Sequence, residues 1–173
     1  MRTPPEAIVR LAERRSGSGG WLIVDEAFAD VAPELSVAAS AGLPGLIVLR
    51  SFGKFFGLAG LRLGFVLSER SIARALGAAL GPWAVSGPAL AIGKAALGDE
   101  GWIEAQRTRA KETALKLDSL LRGKGFAPQG GTDLFRLFAH ADAQAVHARL
   151  GSAGIMVRRF PERTTWLRFG LPG

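Results

Sequence analysis

In the first half of the chain, apolar positions fall into short continuous runs separated by glycine- and proline-rich breaks. Trp21-Leu22-Ile23-Val24 runs into Asp25-Glu26-Ala27-Phe28, and Leu46-Ile47-Val48-Leu49 runs into Arg50-Ser51. A continuous apolar run closed by polar residues is the pattern of a buried parallel strand. Leu61 to Leu67 predicts a third strand of the same kind. Helical patterns lie around these runs. Pro4 to Arg15 predicts a helix with Ile8, Leu11 and Ala12 on its apolar side, and Pro4 and Pro5 suit a first turn. Val37 to Ala41 predicts a short helix stopped by Gly42-Leu43-Pro44-Gly45, and Ser68-Glu69 opens another running to about Leu76. Strand and helix alternating in this way predict an α/β fold with a parallel sheet.

After Pro82 the pattern changes. Ala89 to Leu97 predicts a small-residue helix, and a longer one runs from Asp99 to about Arg122. The longer helix carries Ile103, Gln106, Ala110, Ala114, Leu117 and Leu121 three or four apart, and Gly123 and Gly125 end it. Strands follow at Thr132–Phe138, Ile155–Arg159 and Thr165–Phe169, with a helix from Asp142 to Leu150. These predict a small α+β domain. The expected division is 1–98 for a larger, incomplete domain and 99–173 for the small one, with the boundary near Gly98.

Composition narrows the class. An apolar fraction of 48% over 173 residues is ample for a core. No apolar run approaches the roughly 18 residues of a membrane helix, and Met1-Arg2-Thr3-Pro4-Pro5-Glu6 lacks the apolar core of a signal peptide. The absence of cysteine excludes disulfides and cysteine-ligated zinc. A cytoplasmic location is expected. The net charge of +7 raises nucleic-acid binding. However, the basic residues are scattered, Arg14-Arg15 and Arg158-Arg159 being the adjacent pairs, and no aromatic-interleaved basic stripe occurs. Neither a nucleic acid nor a membrane is expected as a partner, and His140 and His147 lack a metal-ligand spacing.

The candidate chemistry lies in Ser51-Phe52-Gly53-Lys54-Phe55-Phe56-Gly57-Leu58-Ala59-Gly60-Leu61-Arg62. Lys54 stands among apolar residues. A lysine buried in such surroundings loses solvation and is more readily a neutral amine, able to form a Schiff base with an aldehyde. Ser51, three positions before it, and Arg62, eight after, are residue types that hold phosphate, Arg through a two-bond fork. Their plainer alternative is local bonding as loop and strand residues. Asp25 closes the first apolar run, where open α/β sheets bind ligands. A carboxylate there can keep a pyridine nitrogen protonated, or simply cap the following turn. An aldehyde, a phosphate and a pyridine nitrogen describe pyridoxal 5'-phosphate. Glu26 reads as structural.

With Asp25, Ser51, Lys54 and Arg62 in this order, the chain resembles the fold-type I pyridoxal-phosphate enzymes. The family pattern is Asp-Glu-Ala-aromatic, then Ser/Thr-x-x-Lys about thirty residues on, then Gly-Leu-Arg-x-Gly. The branch is the one that holds histidinol-phosphate aminotransferase. Arg50 to Gly60 and Pro82-Trp83-Ala84-Val85-Ser86-Gly87-Pro88 are most similar to the threonine-phosphate decarboxylases of cobalamin biosynthesis. The resemblance implies a large three-layer domain followed by a small C-terminal one. It implies decarboxylation of O-phospho-L-threonine, a small phosphorylated amino acid, by a homodimer when full length.

By the same resemblance Arg168, in Trp166-Leu167-Arg168-Phe169-Gly170, is the candidate for the substrate carboxylate, and Arg158 is a second candidate. Phe28 departs from the tyrosine many relatives carry and cannot donate a hydroxyl bond. Family members run to roughly twice this length, so a fragment is expected, with the final helix missing after Leu171-Pro172-Gly173 and the isolated chain inactive. Two other readings stand beside the decarboxylase: a histidinol-phosphate-type aminotransferase, and a non-catalytic fragment that pairs with another polypeptide.

Overall fold

The computed structural model describes residues 3–171. Met1, Arg2, Pro172 and Gly173, on which the expectations about the two ends of the chain partly fall, lie outside the described residues. The chain divides into two compact units, Met1–Asp99 and Glu100–Gly173.

In the first unit, helix α1 (Pro5–Gly17) opens after an extended Pro4 and buries Ala12. Ile8 and Val9 pack beside it, while Leu11 is exposed rather than inward. Strands β1 (Leu22–Asp25) and β2 (Leu46–Ser51) pair in parallel, Leu22 with Leu46 and Asp25 with Leu49. Strand β3 (Gly64–Ser68) pairs antiparallel to β2, Ser51 opposite Gly64. The sheet is therefore mixed, with the order β1-β2-β3, where an all-parallel one was expected. Residues 52–63 form a tight turn with no crossover helix, so the chain returns in the opposite direction.

One face of this sheet, with Leu22, Val24, Leu46, Val48 and Leu67, packs on Ala12, Val37 and Ala41. The opposite face carries Ile23, Leu49 and Val66 by strand alternation. Ile23 is 59% exposed there. Thus β1 alternates and is not buried on both faces, as its continuous apolar run had suggested. Helices α2 (Arg70–Leu80) and α3 (Gly87–Gly98) follow, the second capped by Ser86, whose Oγ accepts the Ala89 N–H at 3.3 Å. A Cβ on Gly93 would stand 2.5 Å from Leu63 Cδ2, so α3 approaches the turn after β2 as closely as a glycine allows.

The second unit is α+β. Helix α4 (Glu100–Gly123) buries Ala110, Ala114 and Leu121, with Ile103, Gln106 and Leu117 half-buried on the same stripe. Strands β4 (Ala127–Thr132), β5 (Phe135–Ala139), β6 (Arg158–Arg159) and β7 (Trp166–Gly170) form an antiparallel sheet in the order β4-β5-β7-β6, and α5 (Ala143–Ser152) lies between β5 and β6 in sequence. Phe138, Leu167, Phe169, Phe126 and Leu121 build its core. The single strand expected at Thr132–Phe138 is instead a hairpin, and the long strand expected at Ile155–Arg159 shrinks to two residues. Among the described residues no helix is long and apolar enough to cross a membrane.

Candidate functional site

The turn after β2 owes its shape to its aromatic residues. Phe52 and Phe55 are buried, and the Phe52 ring meets Phe56 at 4.7 Å and Phe65 at 5.5 Å between centroids. The Gly57 N–H donates to Lys54 O at 3.1 Å and the Leu58 N–H to Phe52 O at 3.0 Å, closing the turn. With its aromatic neighbours inward, Lys54 points outward and is exposed, contrary to the expected burial. Its Nζ stands 5.8 Å from the centroid of Phe28. A cation over a ring is favourable. The turn that begins at Asp25 and the turn that carries Lys54 therefore meet.

Ser51 ends β2, and its Oγ accepts the Gly53 N–H at 3.1 Å. Arg62 is held in the left-handed region at φ 52°, ψ 35°, and its Nη1 donates to Ala59 O at 3.2 Å. A non-glycine residue rarely takes that conformation unless its surroundings impose it. Ser51, Gly53, Arg62 and Gly64 line one cavity of about 230 Å³. A Cβ on Gly64 would come 3.0 Å from Arg50 O, so glycine keeps β3 close and the cavity rim free of a side chain. Asp25 is exposed, and its Oδ1 accepts the Ala27 N–H at 3.0 Å. Alternation from the Asp25–Leu49 pair puts Asp25 and Ser51 on the same sheet face.

A hydroxyl and a guanidinium at one cavity, with an amine and a carboxylate on the adjoining turns, match the donor set that a phosphate-bearing pyridine aldehyde needs. The residues present thus fit pyridoxal phosphate. Among the described residues, no group of three or more metal-ligating side chains occurs.

Behind this face lies a cluster that the sequence reading did not find. Glu26 and Asp30 are buried, and Arg50 pairs with both. The available signal was an arginine directly before Ser51, at the end of an apolar strand, with acids at 26 and 30.

In the second unit, Arg158 and Arg168 are directly opposite each other on β6 and β7. Leu167 and Phe169 face the core, so Arg168 points to the other side, its guanidinium 5.1 Å from the Phe135 ring. His140 accepts the Asp142 N–H at Nδ1 and lies against Phe126, a structural use of the ring.

A family model described as aminotransferase class I and II matches residues 2–173. The chain is 46% identical over 168 residues to a threonine-phosphate decarboxylase of Pseudomonas aeruginosa, covering 97% of this chain and 50% of that protein. It is 49% identical to the threonine-phosphate decarboxylase of a Sinorhizobium species, covering 96% and 50%. Among solved structures, histidinol-phosphate aminotransferase from Sinorhizobium meliloti in complex with pyridoxal-5'-phosphate superposes with a TM-score of 0.86 at 25% identity, over 98% of this chain and 48% of that one. The chain spans about half the length of the curated relatives it matches.

Proposed function

This chain belongs to the class I and II aminotransferase family, and from that premise we propose that it carries the lysine, acid and phosphate-binding residues of a pyridoxal-phosphate-dependent decarboxylase. The substrate is O-phospho-L-threonine, a small phosphorylated amino acid, and the products are aminopropanol phosphate and carbon dioxide. The complete enzyme acts as a homodimer. The observation that carries the reading is the shared cavity of Ser51 and Arg62 beside the Lys54 turn. The decarboxylase relatives support the substrate at 46–49% identity over 168 residues, against 38% over 108 residues for a histidinol-phosphate aminotransferase of Sodalis glossinidius.

Bound in this site, pyridoxal phosphate supplies an electron sink through its protonated ring. Arg62 and Ser51 would hold the phosphate by charge-assisted hydrogen bonding. Asp25 holds the proton on the ring nitrogen by charge. The Nζ of Lys54 is the amine that would hold the aldehyde, and Lys54 would deliver a proton to the substrate carbon. Arg168, with Arg158 opposite, binds the substrate carboxylate.

Assay of the full-length protein with O-phospho-L-threonine and with histidinol phosphate tests the reading. Carbon dioxide release from the first is expected. Transamination of the second without decarboxylation would replace the decarboxylase with the aminotransferase. A protein that binds no cofactor would leave it a non-catalytic partner of another polypeptide.

A further inference from the structure

Asp25 and Ser51 each have a charged neighbour in sequence, and the two neighbours meet. On one strand end Asp25 is followed by Glu26. On the adjacent one Ser51 is preceded by Arg50. Alternation turns Asp25 and Ser51 to one face of the sheet and Arg50 to the other, where it reaches the Glu26 carboxylate. The Glu26 N–H donates to Leu49 O at 2.9 Å, carrying the pairing of β1 and β2 one residue past the strand. Glu26 Oε1 accepts the Val37 N–H at 2.6 Å, and Oε2 accepts from Ser36 Oγ at 2.6 Å and from Arg50 Nη1 at 3.3 Å. The other guanidinium nitrogen, Nη2, pairs with the Asp30 carboxylate. Glu26 and Asp30 are 6% and 7% exposed.

Buried ion clusters are poor sources of stability, because desolvation offsets their attraction; what they provide is a fixed arrangement. This one spans two segments, the turn from Glu26 to Asp30 and the end of β2. A planar fork with fixed donors can serve two carboxylates at once, where an ammonium serves as a point charge.

We infer that Arg50 is a positioning residue: its fork braces the Glu26–Asp30 turn against β2 and so fixes Asp25 relative to Ser51. The inference rests on the reading of Asp25 and Ser51 given above. A ligand held at one end by a carboxylate and at the other by a phosphate grip depends on that separation, whereas one held at a single end does not.

Pyridoxal phosphate and pyridoxal, which lacks the phosphate, separate the two cases. The full-length protein is titrated with each by visible absorbance, as wild type and as Arg50→Lys. The wild type should prefer pyridoxal phosphate, and Arg50→Lys should lose that preference by about tenfold or more, the order of one charge-assisted hydrogen bond, while pyridoxal affinity changes little. A second variant, Arg50→Gln/Asp30→Asn, removes the Arg50–Asp30 pair without stranding the aspartate and leaves Glu26 on Val37 and Ser36. It should show the same selective loss. Equal loss for both ligands, unchanged binding of both, or failure of both variants to fold would overturn the positioning role and leave the site reading intact. A wild type with no preference for the phosphate would overturn the site reading and this inference with it.

Discussion

The Nζ of Lys54 stands 5.8 Å from the centroid of the Phe28 ring, joining the turn after β1 to the turn after β2. Phe28 is the third residue after Asp25, so this contact ties the turn of the candidate amine to the turn that follows the candidate acid.

The first prediction concerns that amine. In the full-length protein with pyridoxal phosphate, borohydride treatment should fix the cofactor on the peptide that contains Lys54, as read by peptide mass mapping. Lys94 and Lys111 are also exposed and lie on the helices α3 and α4. Label on either of them in place of Lys54 would remove the covalent role from this turn.

Arg62 separates binding from stability. Its left-handed conformation costs a non-glycine residue about 1–2 kcal/mol. Arg62→Gly relieves that cost and offsets it with a more flexible unfolded chain. Stability should therefore change by less than about 1 kcal/mol, while pyridoxal phosphate affinity falls at least about tenfold, the value of one charge-assisted bond near 1.4 kcal/mol. Thermal unfolding and a cofactor titration read the two effects. A glycine variant with normal affinity would show that the guanidinium does not hold phosphate.

How much of this was legible in the chain depends on the range of the interaction. The apolar runs at Trp21 and Leu46 and the stripe on α4 follow from neighbours a few residues apart, and they form strands and helix close to where expected. The direction of β3 was misjudged because only the absence of a crossover in residues 52–63 decides it. The strand β4 was hidden by Pro128, Gln129, Gly130 and Gly131, which carry little strand signal; its pairing has an irregularity between Pro128 and Gly130. Lys54 stands out as a candidate by its spacing, yet its exposure depends on which way the turn after β2 faces. The Arg50 cluster joins residues 20 and 24 apart in sequence, and no local periodicity announces it.

Arg158 and Arg168 lie directly opposite on an antiparallel pair, where like charges are destabilising. Arg168→Ala should leave the thermal midpoint unchanged or slightly raised. If the pair binds the substrate carboxylate, the same variant should raise KM for O-phospho-L-threonine by about tenfold or more, and Arg158→Ala should raise it less. Unchanged KM in both variants would take this pair out of the substrate site.

Gly131 tests the hairpin that the sequence concealed. Its φ is +140°, and a Cβ there would stand 2.4 Å from Phe135 O and 3.0 Å from Arg136 Cα. Both obstacles are backbone, so neither can swing aside. Gly131→Ala should destabilise the second unit by at least about 2 kcal/mol, measured by denaturant unfolding. A variant as stable as wild type would mean that the hairpin pairs differently.

The last prediction concerns the 173-residue chain on its own. β1 ends the sheet order, so one of its edges has no strand beside it among the described residues. An unpaired edge offers backbone donors and acceptors to any extended chain. On the face that carries Ile23, Ile47 is buried at the centre while Ile23 is 59% exposed and Val66 43%, with Trp21 at 64% just before the strand, and Trp83 is 94% exposed on the turn before α3. The charge that would discourage pairing at this edge is confined to Asp25 at its end. The purified chain should therefore associate, its apparent mass by light scattering rising with concentration at moderate ionic strength. Ile23→Lys, which places a charge on the open face of the edge strand, should reduce that association without altering the core built on Leu22 and Val24. A chain that stays monodisperse and monomeric across the concentration series would show that this face is compatible with water, and that neither the edge nor its apolar side chains drive self-association.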